Sequence, residues 1–384
     1  MAFDITVLAE NLKRYRSAKK LTQQQLAEKL LLTPQSVSKW ECGQSIPELD
    51  KLCAAADILE VSVEDLLGGR PSVMPVLVGV DGGGTKTEFV MFREDGTLLK
   101  HLVLEGSNPN LRGVEHCLSI LNTGLGQLLD GDTRLVALHV GCAGFLSGNY
   151  AAQVQAHLQK RYPNGKISCS SDVMNIIASG SHAQRCVAAI CGTGSVVYAN
   201  AHRKLHRYGG AGYLLDTRGS GFDMGRDVLR AVLSEQDGVG PATAMTPLVT
   251  QRLGSSVWDA IAQIYRQGMA HIASFAPVAF QAYGQGDALA EQILRKHAGY
   301  LAELIQVAAD RHDCGKAVVL SGSIFTSNGV FLEMLRDALQ ADMKIEVPTR
   351  PPVYGACVLA GELYGIDLQV FKENFDRQYP QMCK

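Results

Sequence analysis

Hydrophobic positions follow two different spacings along the chain. Near the N-terminus they recur every three or four residues, as at Leu8, Leu12 and Tyr15, which is the spacing of an amphipathic helix. Further along, short unbroken apolar runs stop at glycine-rich turns, which is typical of buried strands. Glycine and proline are frequent in residues 68–75, the segment between the two patterns. We therefore predict an all-α module over residues 1–69, a linker over 70–75 and an α/β body after it.

Two short, capped helices are predicted inside this module. Thr22 can cap a helix over residues 23–30, and Thr33 with Pro34 can start a second helix that continues over 35–40. The outer face of the second helix carries small polar, amide and basic side chains: Gln35, Ser36, Ser38 and Lys39. Such a pair can place its second helix in the major groove, where amides pair with adenine edges and Lys or Ser reach phosphates or bases.

The residues of this helix pair resemble the lambda repressor/Cro-like helix-turn-helix family. The resemblance is carried by Leu21–Lys29 and Val37–Glu41, followed by Gly43, Pro47 and Leu52. It implies sequence-specific DNA binding, usually as a dimer, with contacts from Gln23, Gln35, Ser36, Ser38 and Lys39. Residues 13–39 also carry seven Lys or Arg side chains against one acid, which suits a phosphate backbone. A helix-turn-helix used only for protein contacts is the alternative.

The turn between the two helices departs from that family. Leu31 and Leu32 stand where the family usually carries glycine and a small apolar residue. We expect the substitution to alter the turn slightly and to leave both helices in place.

The body opens with an apolar run, Val76–Val80, that ends in Asp81 and three glycines. Glycines at a tight strand-to-strand turn let backbone N–H groups approach an anion, and Asp81 can hold a hydrated Mg²⁺ beside phosphates. The pattern is not a P-loop, because glycine and lysine are not adjacent and a strand follows. The predicted phosphate contacts are Gly83, Gly84, Thr85, Lys86 and Thr87. A plain glycine-rich β-turn is the alternative.

Two further glycine turns follow in the sequence. Cys186–Tyr198 repeats the strand-turn-strand pattern about 110 residues after the first hairpin. Ala317–Phe325 runs from a strand into glycine and then a helix, a turn that can pack a flat base or ribose against backbone. The predicted nucleotide contacts in these turns are Gly192, Thr193, Gly194, Gly322 and Ser323. The two hairpins suggest two similar lobes that face each other across a nucleotide cleft.

In this order the three turns resemble the phosphate-1, phosphate-2 and adenosine motifs of the actin/Hsp70/sugar-kinase superfamily. Within it, the nearest resemblance is to the N-acetylglucosamine kinase/BadF-type ATPase family, supported by residues 106–110, 171–173, 209–215, 219–222 and 354–356. The resemblance implies a two-lobed α/β actin-like ATPase (ribonuclease H-like) fold. It places the lobes at 76–165 and 166–384, with the last helix returning to the first lobe. It also implies an ATP·Mg²⁺ site formed by Asp81, Thr85, Lys86, Thr193 and Gly322, with a sugar-like ligand between the lobes.

The same resemblance implies ligand contacts from Asn108 and from the backbone of Gly210, Ala211 and Gly212. Asp172 matches the family's catalytic base, and phosphoryl transfer to a hydroxyl needs a carboxylate that takes the proton. Because Asp172 follows a predicted strand, we expect it at the strand's end, facing the cleft. The alternative is that Asp172 caps the helix that starts there, and it could serve in both ways.

The loop after Leu214 and Leu215 departs from the family's Gly-Asp-Glu-Gly-Ser. Thr217 stands where the family has an aspartate that holds sugar hydroxyls, and loss of that carboxylate is expected to reduce specificity. Asp216 can replace it only if the loop shifts by one residue, so Asp216 and Thr217 are the candidate ligand contacts. Arg218 would suit an anionic sugar derivative, or else it faces solvent.

Composition narrows the classes of protein that fit. A formal net charge of −2 gives no general attraction to nucleic acid or membrane. The ten cysteines include no Cys-x-x-Cys pair, so neither a zinc ribbon nor a disulfide framework is indicated. No signal peptide and no apolar run of the roughly 18 residues needed to span a bilayer is evident. We expect a cytoplasmic protein with reduced thiols and no membrane partner.

Three functions fit these features. The favoured one is a homodimeric, DNA-binding transcriptional regulator whose kinase-like body senses a sugar derivative or nucleotide. The second is an active, ATP-dependent amino-sugar kinase of the N-acetylglucosamine type that carries a DNA-binding module. The third is an ATPase whose hydrolysis serves a partner protein. Intact Asp81 and Asp172 favour retained ATP binding, whereas residues 216–218 argue against ordinary N-acetylglucosamine phosphorylation.

Overall fold

The computed structural model describes residues 5–68, 73–180, 185–216 and 219–383. Contacts between residues divide the chain into two units, one of residues 1–76 with 125–136 and one of residues 77–124 with 137–384. Thr217 and Arg218 lie outside the described residues, so the predictions for these two side chains stay predictions.

Short helices form the N-terminal module around one apolar core. They are α1 (Ile5–Ala18), α2 (Gln23–Lys29), α3 (Pro34–Glu41), α4 (Leu49–Leu59) and α5 (Val63–Leu66). The core includes Leu12, Leu26, Val37, Trp40 and Leu52. Thr22 caps α2 by accepting a hydrogen bond from the Gln25 N–H (3.1 Å), and Thr33 caps α3. The helical fold predicted for this region is confirmed.

The turn between α2 and α3 forms without the usual glycine. Leu31 adopts a left-handed backbone (φ 53°) and leaves its side chain 87% exposed. That conformation strains a residue with a Cβ by about 1–2 kcal/mol, whereas glycine adopts it freely. The Leu32 N–H bonds to the Ala27 carbonyl (2.9 Å), which closes α2. The departure from the family therefore strains this turn and leaves both helices in place, as expected.

The body contains two five-stranded sheets. Strands of the first sheet lie in the order β3-β2-β1-β4-β5. They are β1 (Met74–Gly82), β2 (Lys86–Phe92), β3 (Leu98–Glu105), β4 (Thr133–Cys142) and β5 (Lys166–Ser170). β1, β2 and β3 pair antiparallel, whereas β4 and β5 pair parallel. The first hairpin therefore joins β1 to β2, with Asp81 opposite Glu88 and Gly82 opposite Thr87.

The second sheet repeats this topology. Its strands are β6 (Arg185–Cys191), β7 (Ser195–Ala201), β8 (Lys204–Tyr208), β9 (Ala317–Ser321) and β10 (Lys344–Glu346). They lie in the order β8-β7-β6-β9-β10, with β6, β7 and β8 antiparallel and β6, β9 and β10 parallel. Each sheet thus starts with a hairpin and continues through a parallel pair. The prediction of two similar α/β lobes is confirmed.

Helices cover both sheets. The shorter set follows the first sheet's strands: α6 (Pro109–Arg112), α7 (Val114–Leu128), α8 (Tyr150–Arg161) and α9 (Asp172–Ser179). The larger set is α10 (Gly221–Gln236), α11 (Met245–Leu253), α12 (Val257–Ala273), α13 (Ala276–Tyr283), α14 (Ala288–His312), α15 (Ser323–Ser327), α16 (Gly329–Ala338), α17 (Pro352–Tyr364) and α18 (Leu368–Met382). α14 packs against β6, β7 and β8, while α17 and α18 pack against strands of the first sheet.

Helices α9 and α17 approach each other closely where Gly355 faces Asn175. A Cβ on Gly355 would lie only 1.8 Å from the Asn175 carbonyl oxygen, so the contact requires glycine. This contact fixes α9, whose first residue is Asp172, against a helix from the C-terminal end of the chain.

The ten cysteines are all free thiols. Within the described ranges, no helix combines the length and the apolar character needed to cross a bilayer.

Candidate functional site

The outer face of α3 presents most of the side chains predicted to contact DNA. Gln35 and Lys39 are exposed and Ser36 and Ser38 are half-buried, while Val37 is buried in the core of the module. Helix α3 is fixed at its start by the Thr33 cap and at its buried face by Val37 and Trp40. The polar side chains therefore project from a rigid helix, as a major-groove reader requires.

Gln23 differs from the other predicted DNA contacts because its amide already has a partner. Its Nε2 donates to Glu41 Oε2 (2.8 Å), and Arg16 donates to both oxygens of the same carboxylate (2.6 and 2.9 Å). The hydrogen bond from Arg16 to Glu41 raises the pKa of Arg16. Gln23 thus ties the start of α2 to the end of α3, and its prediction as a DNA contact stays untested.

The first hairpin presents its turn to solvent. Gly84, Thr85 and Lys86 are exposed, and the Gly83 N–H closes the turn on the Lys86 carbonyl (2.8 Å). The Lys86 side chain is 62% exposed, and its ammonium pairs with Glu88 Oε2 at 2.8 Å. A charged tip on a closed turn is suited to contact an anion such as a phosphate.

Glu88 belongs to this site although it is not among the residues predicted from the sequence. Its buried carboxylate also accepts hydrogen bonds from the Tyr379 hydroxyl and pairs with His101 Nε2 (3.0 Å). Although burial opposes ionisation, the bonds from Lys86, Tyr379 and His101 hold its pKa below the ordinary value. The available indication was an acid that directly precedes the apolar run Phe89–Phe92 and faces Asp81 across a predicted hairpin.

Thr87 requires a correction. The glycine-rich turn predicts it as a phosphate contact, but its side chain is fully buried and its hydroxyl donates to the Glu105 carbonyl at 2.8 Å. Successive side chains of a strand point to opposite faces of the sheet, so Thr87 points to the face opposite to that of the exposed Lys86. Its hydroxyl therefore joins β2 to β3 and does not face the turn.

Asp81 lies at the end of β1 next to the first turn. Its Oδ1 accepts a hydrogen bond from Asn175 Nδ2 (2.7 Å), an amide that the sequence analysis did not identify. Burial raises the Asp81 pKa to about 6, against the opposing effect of the Asn175 bond, and the negative charges of Asp172 and Glu88 raise it further. A buried polar residue within the apolar stretch of α9 was the only indication for Asn175.

Asp172 is the first residue of α9, and Ser171 is its N-cap. One oxygen of Asp172 accepts from the Ser171 hydroxyl (2.9 Å) and from the Val173 N–H (3.1 Å). Burial raises the pKa of Asp172. The carboxylate therefore helps to cap the helix and lies close enough to Asp81 for the two charges to interact. This position is compatible with both roles weighed from the sequence.

The second hairpin is held by the start of α10. Thr193 and Gly194 are exposed at its tip, while the Gly221 and Phe222 N–H groups donate to the carbonyls of Gly192 (2.8 Å) and Thr193 (3.0 Å). These bonds hold the turn against the start of α10 and leave Thr193 and Gly194 exposed to solvent. A Cβ at Gly194 would meet nothing within 4 Å. The tip therefore has room for a ligand.

Gly322 lies directly beside the second hairpin. Its φ is +109°, and a Cβ there would stand 2.1 Å from the Cys191 carbonyl oxygen. Only glycine fits both the conformation and the space. Ser323 begins α15 next to it, with its side chain exposed. The predicted third turn and the second hairpin are thus one contiguous surface.

The loop after β8 brings several predicted ligand contacts together. Gly210 and Gly212 adopt left-handed backbones (φ 72° and 94°), and Asp216 Oδ2 accepts from the Ala211 N–H (3.4 Å). A cavity of about 120 Å³ lies where this loop, the second hairpin, the start of α10 and α12 meet. Its lining residues are Thr193, Gly194, Ser195, Gly210, Gly212, Tyr213, Asp216, Ser220, Phe222 and Met269. Two of the predicted nucleotide contacts, Thr193 and Gly194, therefore meet three of the predicted ligand contacts, Gly210, Gly212 and Asp216, at one cavity.

Asn108 is not among the residues that line this cavity. It is the N-cap of α6 in the first lobe, where its Oδ1 accepts from the Asn110 N–H at 2.9 Å. Its backbone N–H donates to the Gly83 carbonyl (3.2 Å), so Asn108 stands directly behind the first hairpin.

The donor set fits Mg²⁺ bound together with nucleotide phosphates. No cluster of three or more His, Cys, Asp or Glu side chains suited to a metal occurs among the described residues. Mg²⁺ does not need one, because it commonly takes one or two carboxylates, substrate phosphates and water. Asp81, with Asp172 nearby, offers carboxylate oxygen. A cation there would stabilise the ionised carboxylate against the burial, and against the negative charges of Asp172 and Glu88, that raise its pKa. When bound, Mg²⁺ would neutralise phosphate charge beside the hairpins.

Two sheets of the same topology, each opening with a glycine hairpin, define the class of two-lobed, actin-like ATPase and sugar-kinase folds. Residues 78–360 match the BadF/BadG/BcrA/BcrD ATPase family, and the chain belongs to this family. Residues 12–66 match a helix-turn-helix family, so the predicted DNA-binding type of module is present.

Relatives of both parts are known. An N-acetylmuramic acid/N-acetylglucosamine kinase of Clostridium acetobutylicum is 27% identical over 75% of this chain and 98% of its own length. The crystal structure of a protein assigned as an N-acetylglucosamine kinase from Porphyromonas gingivalis superposes with a TM-score of 0.56 at 20% identity, over 74% of this chain and 99% of that one. The transcriptional activator BcrR of Enterococcus faecalis is 38% identical over 16% of this chain and 30% of its own length.

Proposed function

We propose that this protein is a sequence-specific, DNA-binding transcriptional regulator whose body binds ATP·Mg²⁺ and a sugar derivative. The observation that carries the proposal is the presence, in one chain, of an exposed polar face on α3 and a sugar-kinase-like body with both hairpins open. Occupation of the body would then alter DNA binding, because a ligand shifts an equilibrium toward the state that it binds better.

Several points of the proposal go beyond the family assignment. The protein would act as a homodimer in the cytoplasm, since helix-turn-helix proteins usually read two half-sites one helical turn or a multiple apart. ATP would lie between the two hairpins and Gly322, and the sugar derivative would lie by the loop of Gly210 and Asp216. The 120 Å³ cavity supports this placement because it joins the second hairpin to that loop.

The regulator is tested by selecting bound duplexes from a random pool with the full-length protein. We expect an enriched motif with two half-sites whose centres lie about 10 bp or a multiple apart. Addition of ATP, Mg²⁺ and a sugar such as N-acetylglucosamine or a sugar phosphate should then change the affinity for that motif. The proposal would be contradicted if no sequence motif is enriched in the bound pool. It would also be contradicted if no sugar or nucleotide changes the affinity of the protein for the motif.

Substitutions on the polar face of α3 test how the protein would read DNA. Gln35→Ala should reduce discrimination between motif and mutated sites, because an amide reads base edges, with a loss of about 1–3 kcal/mol at one position. Lys39→Ala, if Lys39 contacts phosphate, should weaken all sequences alike and lower the salt dependence. Quantitative binding to the motif and to single-base variants at two salt concentrations separates these outcomes.

A second candidate function is an active amino-sugar kinase. Asp172, a half-buried carboxylate with a raised pKa close to Asp81, favours it, because such a group can accept a proton from an attacking hydroxyl. Asp172→Asn should then lower turnover by about 10²-fold or more while ligand binding stays similar. The exposed Asp310→Asn is the control and should leave turnover unchanged. Absence of any ATP-dependent phosphorylation of amino sugars by the unmodified protein would exclude the kinase and leave the regulator.

A further inference from the structure

A second, larger cavity opens beside the one assigned to the sugar derivative. It has a volume of about 510 Å³ and lies between α10 and α12. Small-molecule sites in proteins span about 300–1,000 Å³ and are mostly apolar with a few polar groups. This cavity therefore has the size and character of a ligand site of its own.

The walls of this cavity are apolar side chains of the two helices. Leu229 and Leu233 line it from α10, and Ile261 and Ile264 line it from α12. Apolar side chains also stay exposed at its rim, where Leu214 and Tyr265 are each 79% accessible. Burial of such surface by an apolar ligand is favourable, because it removes apolar area from water.

Both charged side chains among the described residues that line the cavity are arginines, Arg226 and Arg230. Arg230 is 67% exposed and lies 3.7 Å from Asp227, so it is only loosely paired. Arg226 pairs with the buried Asp223 (3.1 Å), but its Nε is buried and has no hydrogen-bond partner among the described residues. A buried N–H without a partner is costly, and an anionic acceptor would satisfy it.

The two cavities share a wall. Tyr213, Phe222 and Met269 line both the large cavity and the 120 Å³ cavity. Met269 follows Gly268, where α12 is interrupted by a non-helical residue (φ 68°, ψ −155°). A ligand in the large cavity would therefore contact side chains that also border the sugar-derivative cavity.

We propose that the large cavity binds an amphipathic organic anion, such as an aromatic or medium-chain carboxylate. The apolar part lies among Leu229, Leu233, Ile261 and Ile264, and the acidic group lies at Arg226 and Arg230. The proposal that this ligand changes DNA binding rests on the regulator proposed above. The proposal that the cavity binds the ligand does not depend on it.

A pair of dyes that differ in one group tests the site in the full-length protein without DNA. 8-Anilinonaphthalene-1-sulfonate carries an anion on an aromatic body, and N-phenyl-1-naphthylamine is the same body without the sulfonate. We expect the anionic dye to bind with a stoichiometry of one per chain. We also expect that Arg230→Gln weakens it by about threefold to tenfold, the scale of one exposed charge-assisted hydrogen bond, while the neutral dye is unaffected.

Two further variants complete the test. Ile261→Trp should weaken both dyes at least tenfold, because the larger ring projects into the space between the two helices that the aromatic body of each dye would occupy. Arg266→Gln removes a charge from the exposed face of α12 outside the cavity and should change neither dye. If Ile261→Trp does not fold, Arg230→Gln with the Arg266→Gln control still decides the matter.

Two results would overturn the proposal. If Arg230→Gln leaves the anionic dye unchanged, the cavity is not an anion site. If sedimentation shows a dimer that the anionic dye cannot enter, and Ile261→Trp separates it into monomers, the cavity is an interface between copies of this chain. Because the dyes are read without DNA, failure of the regulator would leave this result unchanged, and failure here would leave the regulator standing.

Discussion

The two glycine hairpins have the same topology and present different chemistry. The first ends in charged side chains, with Asp81 before its turn and Lys86 after it, and the buried Glu88 holds the lysine. The second has no charged side chain at its turn, and its carbonyls are held by N–H groups at the start of α10. The first hairpin is therefore suited to bind charged groups such as phosphates and Mg²⁺, whereas the second offers backbone groups and the Thr193 hydroxyl in a fixed geometry.

The difference shows that a repeated fold does not require a repeated role. In the first lobe the ion pair of Lys86 with Glu88 can exchange for a phosphate contact, since the ammonium is mostly exposed. Both turns depend on close backbone contacts, at Gly106 in the first lobe and at Gly221 and Gly322 in the second. Changes at these glycines should therefore affect folding, whereas changes to the charged side chains of the first hairpin should affect charge-dependent binding.

The largest effect is expected at Gly322. Gly322→Ala places a Cβ 2.1 Å from the Cys191 carbonyl oxygen at a left-handed φ, so the second hairpin must shift. Strain and overpacking together should cost about 2–5 kcal/mol of the free energy of unfolding. Urea denaturation measures this, with Gly194→Ala as the control because its Cβ meets nothing within 4 Å. Equal stability of the two variants would show that the backbone contact does not fix the second hairpin.

The next effect concerns the charged hairpin. Asp81→Asn should weaken the Mg²⁺-dependent part of ATP binding about 10- to 100-fold, because a hard cation loses a carboxylate oxygen. Binding of ATP without Mg²⁺ should change little. Calorimetry with and without Mg²⁺ checks both statements, and Asp95→Asn, in the exposed turn after β2, is the matched control. Weakening of equal size in both conditions would mean that Asp81 only supports the fold of the turn.

The smallest effect compares one hydroxyl in each hairpin. Thr193→Val should weaken nucleotide binding about two- to tenfold, the scale of one lost hydrogen bond. Thr85→Val should weaken it less, because Lys86 and Asp81 still act on the phosphates in the first hairpin. Nucleotide titrations of both variants rank the two losses. The reverse ranking would show that hydroxyl contacts matter more in the charged hairpin than in the neutral one.

Local patterns in the sequence determined the elements of this protein. Helical spacing and the caps Thr22 and Thr33 were sufficient to predict the N-terminal helices, because a cap is decided by residues three positions apart. The glycine turns between apolar runs predicted both hairpins for the same reason. The resemblance of three ordered turns then gave the fold class, which the two matching sheets confirm.

Tertiary structure alone decided which of these polar residues face the sites. Thr87 belongs to the same turn motif as Thr85, yet sheet pairing buries it against Glu105, more than ten residues away. Asn175 and Tyr379 reach Asp81 and Glu88 across 94 and 291 positions of sequence, and the cavity between α10 and α12 joins helices with no shared motif. The spacing of apolar and polar residues predicts single helices and strands, whereas these contacts depend on how the helices and strands pack together. The sequence by itself therefore could not predict the contacts.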